Sequence, residues 1–469
     1  MCNIAKKITV LTTKIVLPVD FESQMQADLG DEFFDFQQAL AQAPPVSIRR
    51  NNKKNNFQNT DTEQVKWCSD GFYLPQRPIF TLDPALHAGA YYVQEAASMF
   101  VAEAVRQTVD LTSPRAVLDF CAAPGGKTTL LGNLLSDDSL LVANEVIKSR
   151  VEVLKENVTK FGNFNTIISH HEVEDFEKLV GFFDLVLIDA PCSGEGLFRK
   201  DADAMQEWSP DAVQHCAARQ RRILAEASHL VKKNGVLVYS TCTYNAAENE
   251  NNIAWLLQQA DFEEITLHIP TDWNIVKKKY GYQFYPHRTR GEGFFLAALR
   301  KKDGDEEFIF PKNLSFSSLQ KLATRQAEQV SRFLENPLQF SFFVKPNEEI
   351  VILATSQIKN LQFIDSFLRR KSLGITVGSF KGQDFVPTHD LALSQAVRKN
   401  LPAVELDKRQ ALLFLKKEEI VLPSDAPRGW LLARYEGLNL GWLKNLGNRS
   451  NNYLPKEYRI RMNLGNTVE

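Results

Sequence analysis

Between Arg115 and about Arg300 the hydrophobic positions follow two alternating patterns. Short apolar runs fill residues 116–120, 140–144, 165–169, 185–189, 236–240, 263–268 and 294–299. Between them, 127–135, 149–161, 211–231 and 248–259 carry apolar residues at three- and four-residue spacing. The runs predict strands and the spaced stretches predict helices. Strand and helix in alternation predict a mostly parallel sheet covered on both faces. Gly162 and Gly235 follow two of the helices, and Ser209-Pro210 suits the start of another.

Outside this block the pattern changes. Residues 17–43 predict one helix, with Met25, Leu29, Phe33, Phe36 and Leu40 on its apolar face. Residues 91–107 predict a second. After a charged boundary at 300–307 (RKKDGDEE), residues 315–334 predict an amphipathic helix and 349–354 a strand. From Gly374 onward, glycines and short strands predict a small β-rich unit. The length of 469 residues agrees with several domains, and 44% hydrophobic residues allow sizeable cores. The formal charge of −2 means that any nucleic-acid partner must be held by local basic patches. One candidate is 47–56 (SIRRNNKKNN), which reads as a solvated loop or a phosphate contact. The six cysteines form no C-x-x-C pair, so a zinc site has no support. No apolar run reaches membrane-spanning length, and no secretory signal is evident near Met1. A cytoplasmic protein with reduced thiols is expected.

The chemistry concentrates at strand ends. Residues 116–129 (AVLDFCAAPGGKTT) run from an apolar strand through a glycine turn into a helix, the form of a nucleotide-cofactor site. Gly126-Lys127-Thr128 matches the end of a P-loop, but Cys121 stands where that motif needs glycine. No G-x-G-x-x-G occurs here, which excludes the dinucleotide fingerprint. Glu145, at the next strand end, is placed to accept hydrogen bonds from ribose hydroxyls. Glu172 either faces the adenine side or is a solvated acid in an acidic loop.

Two further strand ends, 184–192 (DLVLIDAPC) and 235–243 (GVLVYSTCT), each carry a cysteine just past the strand. Cys68 and Cys216 read as inert thiols. Cys192 and Cys242 would instead lie at the carboxyl edge beside the cofactor turn, if the strand of Cys192 sits between the other two. A thiol beside an adenosyl cofactor suits methylation of an unreactive carbon such as cytosine C5. A thiolate that adds to C6 makes C5 nucleophilic. Asp189 would hydrogen-bond the base at N3 and its amino group, and the second thiol would help remove the C5 proton. Residue chemistry alone leaves open which cysteine attacks.

The motifs CAAPGGK (121–127), DAPCSGEG (189–196) and STCT (240–243), with YVQEAASM (92–99) and GEGFF (291–295), resemble the Nop/Sun family of RNA cytosine-5 methyltransferases. The tail 429–461 and SIRRN at 47–51 resemble its bacterial RsmF group, which acts on 16S ribosomal RNA. The resemblance implies a Rossmann-like α/β sheet of the class I methyltransferases, using S-adenosylmethionine. It implies four units: an RNA-recognition domain over 1–110, the methyltransferase over 111–301, a linking region over 302–373 and a PUA-like RNA-binding domain over 374–469. Cys121, Ala122, Ala123, Pro124, Gly125, Gly126, Lys127, Glu145 and Asp189 would contact the cofactor, as would Glu172, where the family usually has aspartate. Cys242 would be the nucleophile and Cys192 would assist product release, with Asp189 near the base. Arg49, Arg50, Asn51, Lys200, Lys444, Arg449 and Lys456 would contact RNA. No metal is implied. The expected substrate is ribosomal RNA, free or within the small subunit, bound by a monomer and flipped at the target cytosine. The alternatives are a transfer-RNA cytosine-5 methyltransferase and an assembly factor without catalysis.

Overall fold

A computed structural model describes residues 16–54, 62–304 and 308–463. Two short helices, α1 (Val19–Leu29) and α2 (Phe33–Leu40), replace the single helix expected over 17–43. Gly30 breaks it, taking a positive φ of 54° that glycine adopts without a side-chain penalty. The pair packs Phe21, Met25 and Phe36 against Phe198, Trp208 and Tyr244, which flank the cysteine-bearing loops.

Strands β1 (Val46–Arg50), β2 (Gly71–Leu74) and β3 (Tyr91–Val93) form an antiparallel sheet in the order β2-β1-β3. The helix expected over 91–107 is therefore a strand at its front. Its Tyr-Tyr-Val start pairs with β1, and a helix, α3 here, begins only at Phe100–Thr108. This α3 packs in a core shared by the central sheet and by Val65, Trp67, Cys68 and Tyr73 of the N-terminal unit.

The central sheet contains β4 (Ala116–Asp119), β5 (Leu140–Asn144), β6 (Thr166–Ser169), β7 (Phe183–Asp189) and β8 (Val231–Thr241), all parallel, in the order β8-β7-β4-β5-β6. The strand of Cys192 thus lies between the other two motif strands. The short β9 (Phe262–Glu264) replaces the strand expected over 263–268 and pairs with a strand, Phe294–Lys301, that runs antiparallel to β8. Helices α4 (Gly126–Leu134), α5 (Lys148–Phe161), α6 (Ala202–Glu207), α7 (Pro210–Leu230) and α8 (Glu250–Gln259) complete this part. Strand alternation feeds two cores. Leu118, Val142 and Val186 meet Leu224 of α7 and Ile253 of α8 on one face. Val117, Leu141 and Leu185 meet Phe100 of α3 and Leu130 of α4 on the other.

Beyond 308, a five-stranded sheet takes in Gln320–Lys321, Phe340–Val344, Glu349–Ala354, Ile375–Lys381 and Asp384–Pro387. It runs across the boundary expected between 373 and 374. The helix expected over 315–334 is confined to Thr324–Ser331, because Gln320–Lys321 pairs with the edge at Phe343 and Val344. The separate C-terminal sheet begins only at Ala403–Glu405 and holds Gly429–Tyr435, Leu438–Asn445 and Ser450–Asn452. Its core continues into the N-terminal sheet: Ile48 and Tyr91 pack with Leu412, Phe414, Leu431 and Leu443.

Candidate active site

The turn after β4 is shaped by its neighbours. Gly125 has a φ of 109°, and an added Cβ would lie 3.3 Å from Leu154 of α5, so this position requires glycine. The same helix holds the turn by its carbonyls: Arg150 donates to Ala123 O and Asn157 donates to Pro124 O at 2.8 Å. Below the turn, Asp119 is buried and receives Thr128 Oγ1 at 2.6 Å. Burial pushes its carboxyl up to about 7. Burial also raises the Cys121 thiol, and the nearby Asp119 and Asp189 add to the shift.

A cavity of about 310 Å³ opens at the carboxyl ends of β4, β5 and β7, the edge where ligands bind in such sheets. Cys121, Glu145, Glu172, Asp189, Cys192 and Cys242 all line it. The sequence-derived candidates from five separate strand ends therefore meet around one hollow. Glu145 is 3% exposed and is oriented by Ile147 N at 2.9 Å and Arg150 Nη1 at 3.4 Å.

Asp189 is held from two sides. Its Oδ2 lies 2.6 Å from Lys127 Nζ, and its Oδ1 accepts Ser240 Oγ at 2.8 Å. Burial opposes the Lys127 charge, but the attraction of Asp189 outweighs it and holds the ammonium above its usual value. Lys127, expected on the cofactor, thus anchors the aspartate. The two thiols are in contact, with Cys192 Sγ 3.0 Å from Cys242 Sγ and accepting Cys242 N at 3.3 Å. The hydrogen bond with Cys242, then burial, raise the Cys192 thiol well above its ordinary value.

The basic N-terminal stretch is a correction. Arg49 and Asn51 are each 2% exposed and cannot touch RNA phosphates. Arg49 Nε donates to Gln94 Oε1 at 2.7 Å, and its Nη2 donates to Thr129 Oγ1 at 2.7 Å and Gly126 O at 3.3 Å. Asn51 Nδ2 donates to Gly89 O and to Phe161 O. Arg50 is half-buried over the Phe72 ring, 4.2 Å from its centroid. Lys200, Arg449 and Lys456 are exposed, and Lys444 is half-buried with its ammonium 5.2 Å from the Trp430 ring centroid. Lys200 Nζ lies 3.7 Å from Glu292.

Sequence reasoning missed Arg150, Arg219 and Arg222, which also line the cavity. The three-residue spacing of Arg219 and Arg222 on a predicted helix was the available signal, since it puts both on one face. Among the described residues, no group of three or more His, Cys, Asp or Glu is arranged to hold a metal ion. Nor is any described helix long and apolar enough to cross a membrane.

Known proteins match this arrangement along the chain. Residues 106–300 match the family described as 16S rRNA methyltransferase RsmB/F. Residues 17–96 match the N-terminal domain of 16S rRNA methyltransferase RsmF, and 401–460 match the methyltransferase RsmF PUA domain. The ribosomal RNA small subunit methyltransferase F of Shewanella loihica is 32% identical over 420 residues, covering 86% of this chain and 85% of the relative. That of Aliivibrio fischeri is 30% identical over 467 residues, covering 94% and 98%. A solved methyltransferase homolog from Pyrococcus horikoshii superposes with a TM-score of 0.51 at 28% identity, covering 60% of this chain and 94% of that one. NSun6 from the same organism, solved with SFG, shares the fold at 20% identity with a TM-score of 0.52, covering 61% and 99%. With its N-terminal, catalytic and PUA segments all matched in order, the chain belongs to the RsmB/F family of 16S rRNA methyltransferases.

Proposed function

We propose that this protein transfers a methyl group from S-adenosylmethionine to C5 of one cytosine in small-subunit ribosomal RNA, through a covalent bond between Cys242 and C6. The observation that carries the reading is the contact of two thiols, 3.0 Å apart, at the wall of a cofactor-sized cavity that also holds Asp189.

The residues present fit the cofactor. Cys121 and Ala123 of the turn line the cavity, and the buried Glu145 carboxylate suits ribose hydroxyls. Glu172 also lines the cavity and would face the adenine of the cofactor. When bound, the cofactor supplies an electrophilic methyl group. The protein's part is to prepare the base. Cys242 adds to C6 as the thiolate, which makes C5 nucleophilic. Asp189, fixed by Lys127 and Ser240, engages the N3 and amino edge of the flipped cytosine. After C5 gains its methyl group, the C5 proton leaves, the Cys242–C6 bond breaks and the C5=C6 double bond returns. Cys192, touching Cys242, is placed to move that proton.

The names of the relatives favour ribosomal over transfer RNA. The exposed Arg449 and Lys456 of the C-terminal unit suit RNA phosphates. We place the reaction in the cytoplasm, carried out by a monomer. Bisulfite mapping of RNA from cells with and without the protein tests the reading. One small-subunit rRNA cytosine should lose its methyl group without the protein. Loss confined to a transfer RNA, or no loss anywhere, would contradict it.

A further inference from the structure

Two glutamates next to the reacting pair are fully buried, and the methyl-transfer chemistry does not use them. Glu195 follows Cys192 by three residues, and Glu248 follows Cys242 by six. Both are 0% exposed. Each reaches across to the other loop. Glu195 accepts Thr243 Oγ1 at 2.7 Å and Tyr244 N at 3.0 Å, just beyond Cys242. Glu248 accepts Ser193 N at 3.0 Å and also the Ser193 hydroxyl, just beyond Cys192. Ser193 Oγ and Thr243 Oγ1 are themselves 3.2 Å apart. Each hydroxyl gives its one proton to its glutamate, so two separate braces, Glu195–Thr243 and Glu248–Ser193, cross between the loops at the residue that follows each cysteine.

We infer that Glu195 and Glu248 are positioning residues that cross-brace the two cysteine loops and set the separation of the thiols. The inference rests on Cys242 and Cys192 being the reacting pair.

The surroundings leave each carboxylate as a pure acceptor. Trp208 Nε1 and Asn245 Nδ2 complete Glu195 at 3.0 and 3.3 Å, and Gln220 Nε2 completes Glu248 at 2.7 Å. These partners are donors, so the ionised form is the one the network satisfies. Burial raises both carboxyl groups, and their hydrogen bonds act in the opposite direction. Two charged groups are thus buried beside the thiols, where an apolar pair would pack at less cost. The main chain repeats the same join: Gly196 N donates to Cys242 O at 2.8 Å. An added Cβ at Gly196 would stand 2.8 Å from that oxygen and 2.4 Å from Gly293 O, so the loops meet at a glycine. A thiol that must reach C6 while a second thiol reaches the C5 proton tolerates little displacement, since a 1 Å error can cost about a hundredfold in rate.

The test uses the full chain with Glu195→Gln and Glu248→Gln. An amide in either place turns N–H donors toward donors already present. We expect kcat to fall about a hundredfold with KM for S-adenosylmethionine within about twofold of wild type. The second readout is disulfide formation between Cys192 and Cys242 on treatment with diamide, followed by peptide mass spectrometry without RNA or cofactor. It should slow by about tenfold or more. Ser193→Ala and Thr243→Val, which each remove the hydroxyl of one brace, should show the same split more weakly, and they decide the matter if the glutamine variants do not fold. Oxidation and kcat both within about twofold of wild type would overturn the inference. So would a fall in kcat matched by equal loss of cofactor binding. The oxidation readout needs no methyl transfer, so it still reports on the brace if the cysteine chemistry proves different.

Discussion

The turn at 121–127 and the basic stretch at 47–54 touch each other but use their polar groups in opposite ways. Around the turn, Glu145, Asp189 and the two thiols are held on one side and face a hollow on the other. In the basic stretch the donors turn inward onto protein oxygens. Arg49 reaches Gly126 O and Thr129, Asn51 reaches Phe161 O, and Lys54 Nζ reaches Ala88 O at 2.7 Å and Lys160 O. Apart from Ala88 O, those acceptors lie on the helix after the turn and at the carboxyl end of the helix beneath it, where carbonyls lack intrahelical partners. A run of arginine, asparagine and lysine thus acts as mortar between the N-terminal sheet and the turn at 121–127. What separates a site from a support is whether the polar groups keep an unused face.

The sharpest way to break this contrast is Arg49→Met. It would leave Gln94 Oε1 and Thr129 Oγ1 without their buried donor. We expect a loss of about 3 kcal/mol in unfolding free energy. Weaker cofactor binding by calorimetry should accompany it, with the salt dependence of RNA binding unchanged. A flatter salt dependence at unchanged stability would return Arg49 to the RNA surface.

A smaller effect comes from His389, buried against Tyr458 and close to Lys160 and Lys54. Burial, then the two lysines, lower its pKa to about 3. Between about 6.5 and about 3 the unfolded chain binds a proton that the folded chain refuses, so stability falls as pH drops through that window. One such proton contributes a slope of about 1.4 kcal/mol per pH unit. Denaturant melts of His389→Phe should show a slope shallower by about this much. An unchanged slope would mean that the imidazole is not held neutral. The smallest effect belongs to the exposed tail. Arg449→Gln with Lys456→Gln should weaken RNA binding modestly and lower the salt slope by about one per lost phosphate contact. Methyl transfer at saturating RNA should stay unchanged.

The parallel sheet was legible because its strands are buried on both faces and carry long apolar runs, as in Leu140–Asn144 and Phe183–Asp189. The strand-end motifs were legible because glycine, cysteine and carboxylate at such ends have few other uses. Tyr91–Val93 was misread because its strand identity depends on pairing with Ile48–Arg50, a long-range contact. The buried side of Arg49 was hidden for the same reason, since its partners lie 45 to 80 residues away. The boundary at 374 failed because short strands do not announce which sheet they join, and Ile375–Lys381 joins the strand at Glu349–Ala354.

The central claim is that Cys242 attacks and Cys192 releases. Its most direct test is Cys192→Ala incubated with S-adenosylmethionine and the target rRNA, followed by denaturing gels and peptide mapping. The account predicts a stable protein–RNA adduct through Cys242, absent from Cys242→Ala. An adduct that forms only in Cys242→Ala, joined through Cys192, would contradict it.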